Sequence, residues 1–213
     1  MIIVGLTGNY GMGKSTVARL FRELGAFTID TDAVVGELLG EQPVIDAVKN
    51  AFGEEVVRDS TIDRQRLAGI VFQSAPLRIA LENILHPKVF DAVKEKIAAL
   101  GSRADVVIIE APVLFERSYQ SKFDRIITVF ADEETTLKRL QEKGVSEEEA
   151  MRRLSSQFPI EMKANRADFT IDNSAGLEST RQQVQAIYRK LQALSRGSAG
   201  HPSLPGSTPY GNN

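Results

Sequence analysis

The chain has 213 residues, of which 42% are apolar and 25% charged, and its formal net charge is −2. That suits one globular domain with a sizeable core, and it argues against a basic nucleic-acid surface as the main interaction. The absence of cysteine excludes disulfides, thiolate catalysis and cysteine zinc sites, and the two histidines, His86 and His201, lack metal-ligand spacing.

The first predicted element is a buried strand over Ile2–Thr7, and Gly8-Asn9-Tyr10-Gly11-Met12-Gly13-Lys14-Ser15 follows it. This is G-x-x-x-x-G-K-S, and a helical stretch from Thr16 to Phe21 comes next. Strand, glycine loop and helix in that order are the context a phosphate loop requires. Glycines let the backbone turn tightly around phosphate oxygens. The amides of Asn9, Tyr10, Gly11, Met12 and Gly13, with the first helical turn through Thr16, point at the anion. Lys14 is expected to reach the β/γ-phosphates of ATP, and the Ser15 hydroxyl to hold Mg²⁺.

A second strand over Phe27–Asp30 ends in Asp30-Thr31-Asp32. If the strand continues, alternation places both carboxylates on one side, where one can take a proton from a substrate hydroxyl. The competing reading makes Asp32 a helix N-cap before Ala33-Val34-Val35. The stretch 33–104 is too long for a simple crossover and is mostly helical in pattern, over 44–52, Arg64–Phe72, 77–85 and 88–100. We read it as a helical substrate-binding lobe. Within it, Arg64 or Arg66 offers a guanidinium fork for an acceptor phosphate, although such side chains are often only solvated. His86-Pro87 reads as an extended dipeptide separating two helices. A lone histidine there is structural or catalytic.

A third strand, Val106–Glu110, ends in a carboxylate that can orient a Mg²⁺-bound water; otherwise Glu110 simply faces solvent. After a fourth strand, Arg125–Phe130, the segment 133–166 is rich in Lys, Arg and Glu and is read as a lid that excludes water. Ser146-Glu147-Glu148-Glu149 is a capping box before a helix over 150–156. Arg139, Lys143, Arg152 and Arg153 are its candidate cations. The fifth strand, Phe169–Asp172, leads into Asn173. Val184, Ile187, Tyr188 and Leu191 then share one helix face. The tail 197–213 has almost nothing apolar to bury and is expected to be disordered.

Strands alternating with helices imply an α/β fold around a parallel sheet, with ligands beyond the carboxyl ends of the strands. Gly8, Asp30, Glu110 and Asn173 are therefore expected on one rim. No apolar run approaches a membrane span, and Met1 leads into a strand without a signal-peptide pattern, so a cytoplasmic protein is expected.

In this order the motifs resemble the dephospho-CoA kinase family of P-loop, nucleoside-monophosphate-kinase-like enzymes over roughly residues 1–192. The likeness rests on Gly5-Leu6-Thr7-Gly8 with Gly13-Lys14-Ser15-Thr16-Val17, then Asp30-Thr31-Asp32, Ile62-Asp63-Arg64, Val71-Phe72 and Leu85-His86-Pro87. It continues through Pro112-Val113-Leu114-Phe115-Glu116, Ser155-Ser156-Gln157, Lys163, Ala167-Asp168 and Ile171-Asp172-Asn173. The resemblance implies a three-layer fold with a five-stranded parallel sheet in the order 2-3-1-4-5. It also implies a single kinase domain over 1–196, with a core of 1–32, 105–132 and 167–196. The implied reaction is transfer of the ATP γ-phosphoryl to the ribose 3′-hydroxyl of dephospho-CoA.

Position by position, the resemblance implies Asp32 as catalytic base, with Lys14 and Ser15 as ATP and Mg²⁺ ligands. It implies Arg64 and His86 in the acceptor lobe, Pro112 and Leu114 beside the acceptor, and Arg139 and Asn173 near the ATP base. Asn9, Tyr10 and Met12 depart from the family's small or aliphatic residues. Because backbone amides form the cradle, these changes are expected to matter little. Lys143 is the only cation just before Gly144, where the family often has Arg-Asp, and lysine lacks the bidentate fork. ATP and dephospho-CoA are the expected partners, with no nucleic acid or membrane, in a monomer or weak homo-oligomer. The rivals are another small-molecule or nucleotide kinase on this scaffold, a GTPase-like switch, or a non-catalytic nucleotide-binding module. The chain carries no Asn-Lys-x-Asp guanine-reading motif.

Overall fold

The computed structural model describes residues 1–72 and 74–197. Its centre is a five-stranded sheet of β1 (Ile2–Thr7), β2 (Phe27–Asp30), β5 (Val106–Glu110), β6 (Arg125–Phe130) and β7 (Phe169–Asp172). Their order is β2-β5-β1-β6-β7. Counting only the strands of this sheet, that is 2-3-1-4-5. The labels are displaced by a hairpin, β3 (Val57–Arg58) with β4 (Thr61–Ile62), that sequence pattern did not reveal. Its two-residue turn puts Asp59 and Ser60 at φ 49° and 61°. Turns of that hand fit the twist of a hairpin and normally carry glycine. Asp-Ser does the task here without that signal.

The central strand β1 pairs in parallel with β5 and β6, and all six of its residues are buried. Ile2, Val4 and Leu6 fall on one face by strand alternation. There they meet Val17, Leu20 and Phe21 of α1 (Lys14–Glu23) and Val184, Ile187, Tyr188 and Leu191 of α9 (Leu177–Gly197). A second core of Leu114, Phe115 and Ile126 is packed by Tyr119, Phe123 and Phe158. The two edge strands carry the same tetrapeptide, Phe-Thr-Ile-Asp. Each ends where its aspartate turns back on the chain: Asp30 accepts from the Asp32 N–H at 2.9 Å and Asp172 from the Ser174 N–H at 2.8 Å. Such turns compete with the ladder and stop the strand.

The chain divides into two compact units, Asp30–Gly101 and the remainder. The first holds α2 (Thr31–Leu38), α3 (Gln42–Phe52), α4 (Arg64–Phe72) and α5 (Ala75–Leu100), besides the hairpin. The sequence reading broke α5 at His86-Pro87, and the structure corrects it: the helix runs through both residues. An interior proline forfeits the bond to the Asn83 carbonyl and costs about 3 kcal/mol. Against that stand the buried Leu85, Val89, Val93 and Ile97, each worth roughly 1.5–3 kcal/mol. Packing outweighs the local preference.

The segment read as a lid forms α6 (Glu133–Glu142), α7 (Glu147–Ser155) and α8 (Ile160–Arg166). Half of the capping box forms: the Ser146 hydroxyl accepts from the Glu149 N–H at 3.3 Å, while the Glu149 carboxylate pairs forward with Arg153. Among the described residues, no helix is long and apolar enough to cross a membrane. The expected disordered tail, 197–213, lies outside the described residues except for Gly197, which closes α9.

Candidate active site

The phosphate loop occupies residues 8–13, between the end of β1 and the start of α1. Two of its glycines are required by contact as well as conformation. Gly8 has φ +149° and lies so close to β6 that a Cβ would stand 2.3 Å from the Val129 carbonyl oxygen. Gly13, at φ +91°, would place a Cβ 2.1 Å from Nδ2 of Asn173. Gly13 is also the N-cap of α1 and supplies no side chain, so no side-chain hydrogen bond closes the helix start. The positive end of the helix dipole at this start without a side-chain cap favours an anion. Lys14 arches back over the loop, its ammonium donating to the carbonyls of Gly8 at 3.0 Å and Asn9 at 3.2 Å. Ser15 is exposed one residue further on.

A cavity of about 240 Å³ opens beside the loop, lined by Gly11, Gly13, Thr16, Arg139, Lys143 and Asn173 among others. Nη1 of Arg139 is buried there and has no hydrogen-bond partner among the described residues. A buried guanidinium nitrogen left unpaired is costly, and a phosphate or polar ligand group would satisfy it. Asn173 is buried and braced on both sides. Its Nδ2 donates to the Met12 carbonyl at 2.9 Å, and its Oδ1 accepts from the Thr180 hydroxyl at 2.9 Å. It therefore fixes the loop as well as lining the cavity. Glycine cradle, a helix start without a side-chain cap and a buried arginine nitrogen without a partner among the described residues together fit a polyphosphate.

Glu110 is the buried last residue of β5, in register with Leu6 of β1. Among the described residues, no cluster of three or more His, Cys, Asp or Glu could hold a metal alone. That donor set suits Mg²⁺ bound through one or two protein oxygens plus substrate phosphates, and not a protein cage.

In the Asp30–Gly101 unit, the cap question resolves toward Asp30. Its carboxylate accepts from the Asp32 and Ala33 N–H groups, and Asp32 lies in the first turn of α2. The expected strand alternation of the two aspartates does not occur, because β2 stops at Asp30. Arg64 donates to the Gly36 carbonyl at 2.7 Å, capping one of the last carbonyls of α2. A Cβ on Gly36 would lie 3.3 Å from that guanidinium. Asp32 and Gly36 are one helical turn apart on the same face, so Asp32 and Arg64 share that side of α2. His86 is half-buried in mid-helix.

Pro112 serves through its backbone, its carbonyl accepting from the Thr7 hydroxyl at 3.2 Å. Leu114, expected beside the acceptor, is fully buried in the core with Phe115 and Ile126. Its side chain is therefore packing and not ligand surface. Sequence reasoning gave no role to Gln157, Glu116 or Lys163. Gln157 accepts from the Tyr10 N–H at 2.8 Å, and the buried Lys163 pairs with Glu116 at 2.6 Å. No local pattern marks such long-range partners.

A parallel sheet in this order, with a glycine loop joining its central strand to a helix, defines a P-loop nucleotide-binding fold. A family model described as dephospho-CoA kinase matches residues 2–179. A dephospho-CoA kinase of Aquifex aeolicus is 40% identical over 190 residues, covering 88% of this chain and 96% of its own. Among solved structures, TT1252 from Thermus thermophilus is 33% identical with a TM-score of 0.80, covering 89% of this chain and 97% of that one. A dephospho-CoA kinase from Campylobacter jejuni is 28% identical with a TM-score of 0.67, covering 92% and 98%. The chain belongs to the dephospho-CoA kinase family.

Proposed function

We propose that this protein is an ATP-dependent phosphotransferase acting on dephospho-CoA. It moves the γ-phosphoryl group to the ribose 3′-hydroxyl and so completes coenzyme A. The observation that carries the reading, beside family membership, is the phosphate loop with the buried Nη1 of Arg139, without a partner among the described residues, at its edge. In the proposed division of labour, the amides of residues 9–13 and the first turn of α1 hold the β- and γ-phosphates. Lys14 swings from the Gly8 and Asn9 carbonyls onto the phosphates when ATP is present. Arg139, with Lys143 near it, offsets charge that builds on the migrating group. Ser15 and Glu110 would hold Mg²⁺, which when bound would neutralise part of the charge of the triphosphate.

Asp32 takes the proton of the attacking hydroxyl, and Arg64 with His86 orients the acceptor. Asp32 lies in the first turn of α2, on the side of the helix that Arg64 also occupies. A cytoplasmic setting belongs to the same proposal. The test is a coupled ADP-release assay with ATP and, in parallel, dephospho-CoA, AMP, CMP or shikimate. Turnover with dephospho-CoA well above the other acceptors is expected. Preference for another acceptor, or nucleotide binding without turnover, refutes the proposal.

A further inference from the structure

The phosphate loop is tied to the segment after α7 by contacts that converge on one buried ion pair. Lys163 of α8 has a side chain that is 0% exposed, and its ammonium lies 2.6 Å from Oε1 of Glu116, itself only 12% exposed. The same ammonium donates to the Pro112 carbonyl at 3.3 Å. That carbonyl also accepts from the hydroxyl of Thr7, the residue before the loop. On the other side, Oε1 of Glu116 accepts from the Phe158 N–H at 3.1 Å. The Phe158 carbonyl accepts from Nδ2 of Asn9 at 3.1 Å, and the neighbouring Gln157 side chain accepts from the Tyr10 N–H. Lys163 is fixed at its own backbone, where the Thr128 hydroxyl of β6 donates to its carbonyl.

Taking two charges out of water is costly for each ion, and apolar residues of similar size commonly do as well or better for stability. Burial holds the Lys163 ammonium below the ordinary lysine range, against the opposing pull of Glu116. A pair retained at that cost needs a reason besides stability. Here its two hydrogen-bonded arms end on Thr7 and on Asn9, with Tyr10 held by the residue beside one arm, so they bracket the start of the cradle.

We infer that Lys163 and Glu116 are positioning residues that hold the start of the phosphate loop, residues 7–10, in the geometry needed for phosphoryl transfer. This rests on reading the loop as the ATP site of a phosphotransferase. Asn9, one of the residues departing from the family's small ones, is a working part of the arrangement, contrary to the expectation that it matters little.

The test compares Lys163→Met, Glu116→Ala, Glu116→Gln and the double variant Lys163→Met/Glu116→Leu. Each is measured for thermal stability, kcat and KM, and for amide exchange at Tyr10 and Met12. Each single loss leaves a buried charge uncompensated and should lower stability. The double variant should regain stability while kcat stays about 10–100-fold low, since misplacement on the order of 1 Å has that effect. KM for dephospho-CoA should move by less than about threefold, because interactions made only in the transition state appear in kcat. The Tyr10 amide should exchange faster in the double variant.

A double variant with restored kcat and unchanged exchange would reduce the pair to a structural role and overturn the inference. If that variant does not fold, the two Glu116 changes decide. Gln keeps the Oε1 acceptor, so it should protect the loop where Ala does not; equal behaviour of the two overturns the inference. Unaltered protein that fails to phosphorylate dephospho-CoA would sink the proposed activity, and the exchange comparison would still test the positioning.

Discussion

Replacing Gly13 by Ala separates the two reasons for that glycine, and Gly144→Ala provides the comparison. Both residues have positive φ, 91° and 78°. An alanine at either position takes on left-handed strain of about 1–2 kcal/mol. At Gly144 nothing lies within 4 Å of the added Cβ, so the strain is the whole effect. At Gly13 the Cβ would stand 2.1 Å from Nδ2 of Asn173. Asn173 cannot step aside cheaply, because it donates to Met12 and accepts from Thr180 in a buried setting. Displacing it leaves at least one buried group unsatisfied, a further cost of about 1–3 kcal/mol. Gly13→Ala should therefore lose roughly 2–5 kcal/mol, against about 1–2 for Gly144→Ala. Urea denaturation without nucleotide measures both. Two variants within about 0.5 kcal/mol of each other, the usual spread of neutral surface changes, would refute the assignment of Asn173 as a rigid brace.

Asp32→Asn should lower kcat by about 10²-fold or more while leaving ATP affinity nearly unchanged in titration calorimetry, and near-normal turnover removes it as base. Arg139→Ala should weaken ATP binding by roughly tenfold, the worth of a charge-assisted contact of about 1.5 kcal/mol, and an unaltered Kd would contradict its place at the cavity. Pro87→Ala restores a backbone donor inside α5 and should raise stability by about 2 kcal/mol, after allowing for the freer unfolded chain. Loss of stability in that variant would show that α5 needs its proline.

Asp132 caps α6, and its hydrogen bond from the Thr135 N–H holds its carboxyl below the ordinary aspartate value. A lowered folded pKa means that the cap contributes above the unfolded value and is lost as pH falls through the folded one. Asp132→Ala should therefore melt at a lower temperature at neutral pH, with the difference from the unaltered protein vanishing at strongly acid pH. A pH-independent gap in melting curves would contradict the cap.

The elements legible in the sequence were those whose signal is local. All five strands of the sheet have the expected bounds: the buried inner strands read as continuous apolar runs, and the half-buried edge strands end at an aspartate that turns the chain. The phosphate loop is equally local: six consecutive residues, a lysine and a serine carry its chemistry, so motif and context identify it without any partner.

Tertiary structure decided whatever depends on residues far apart in the chain. It carried α5 through Pro87, since burial along one face exceeds the loss of a single bond. It gave the cap of α2 to Asp30, because β2 stops there, and it brought Arg64 of α4 onto α2, where its guanidinium donates to the Gly36 carbonyl. It also set Lys163 against Glu116, 47 positions away. Neither residue touches the loop; Pro112 and Phe158 relay their hydrogen bonds to Thr7 and Asn9. Amino-acid order encodes propensity and pattern over a few turns, whereas a buried charge finds its counter-charge only after the sheet has closed around both.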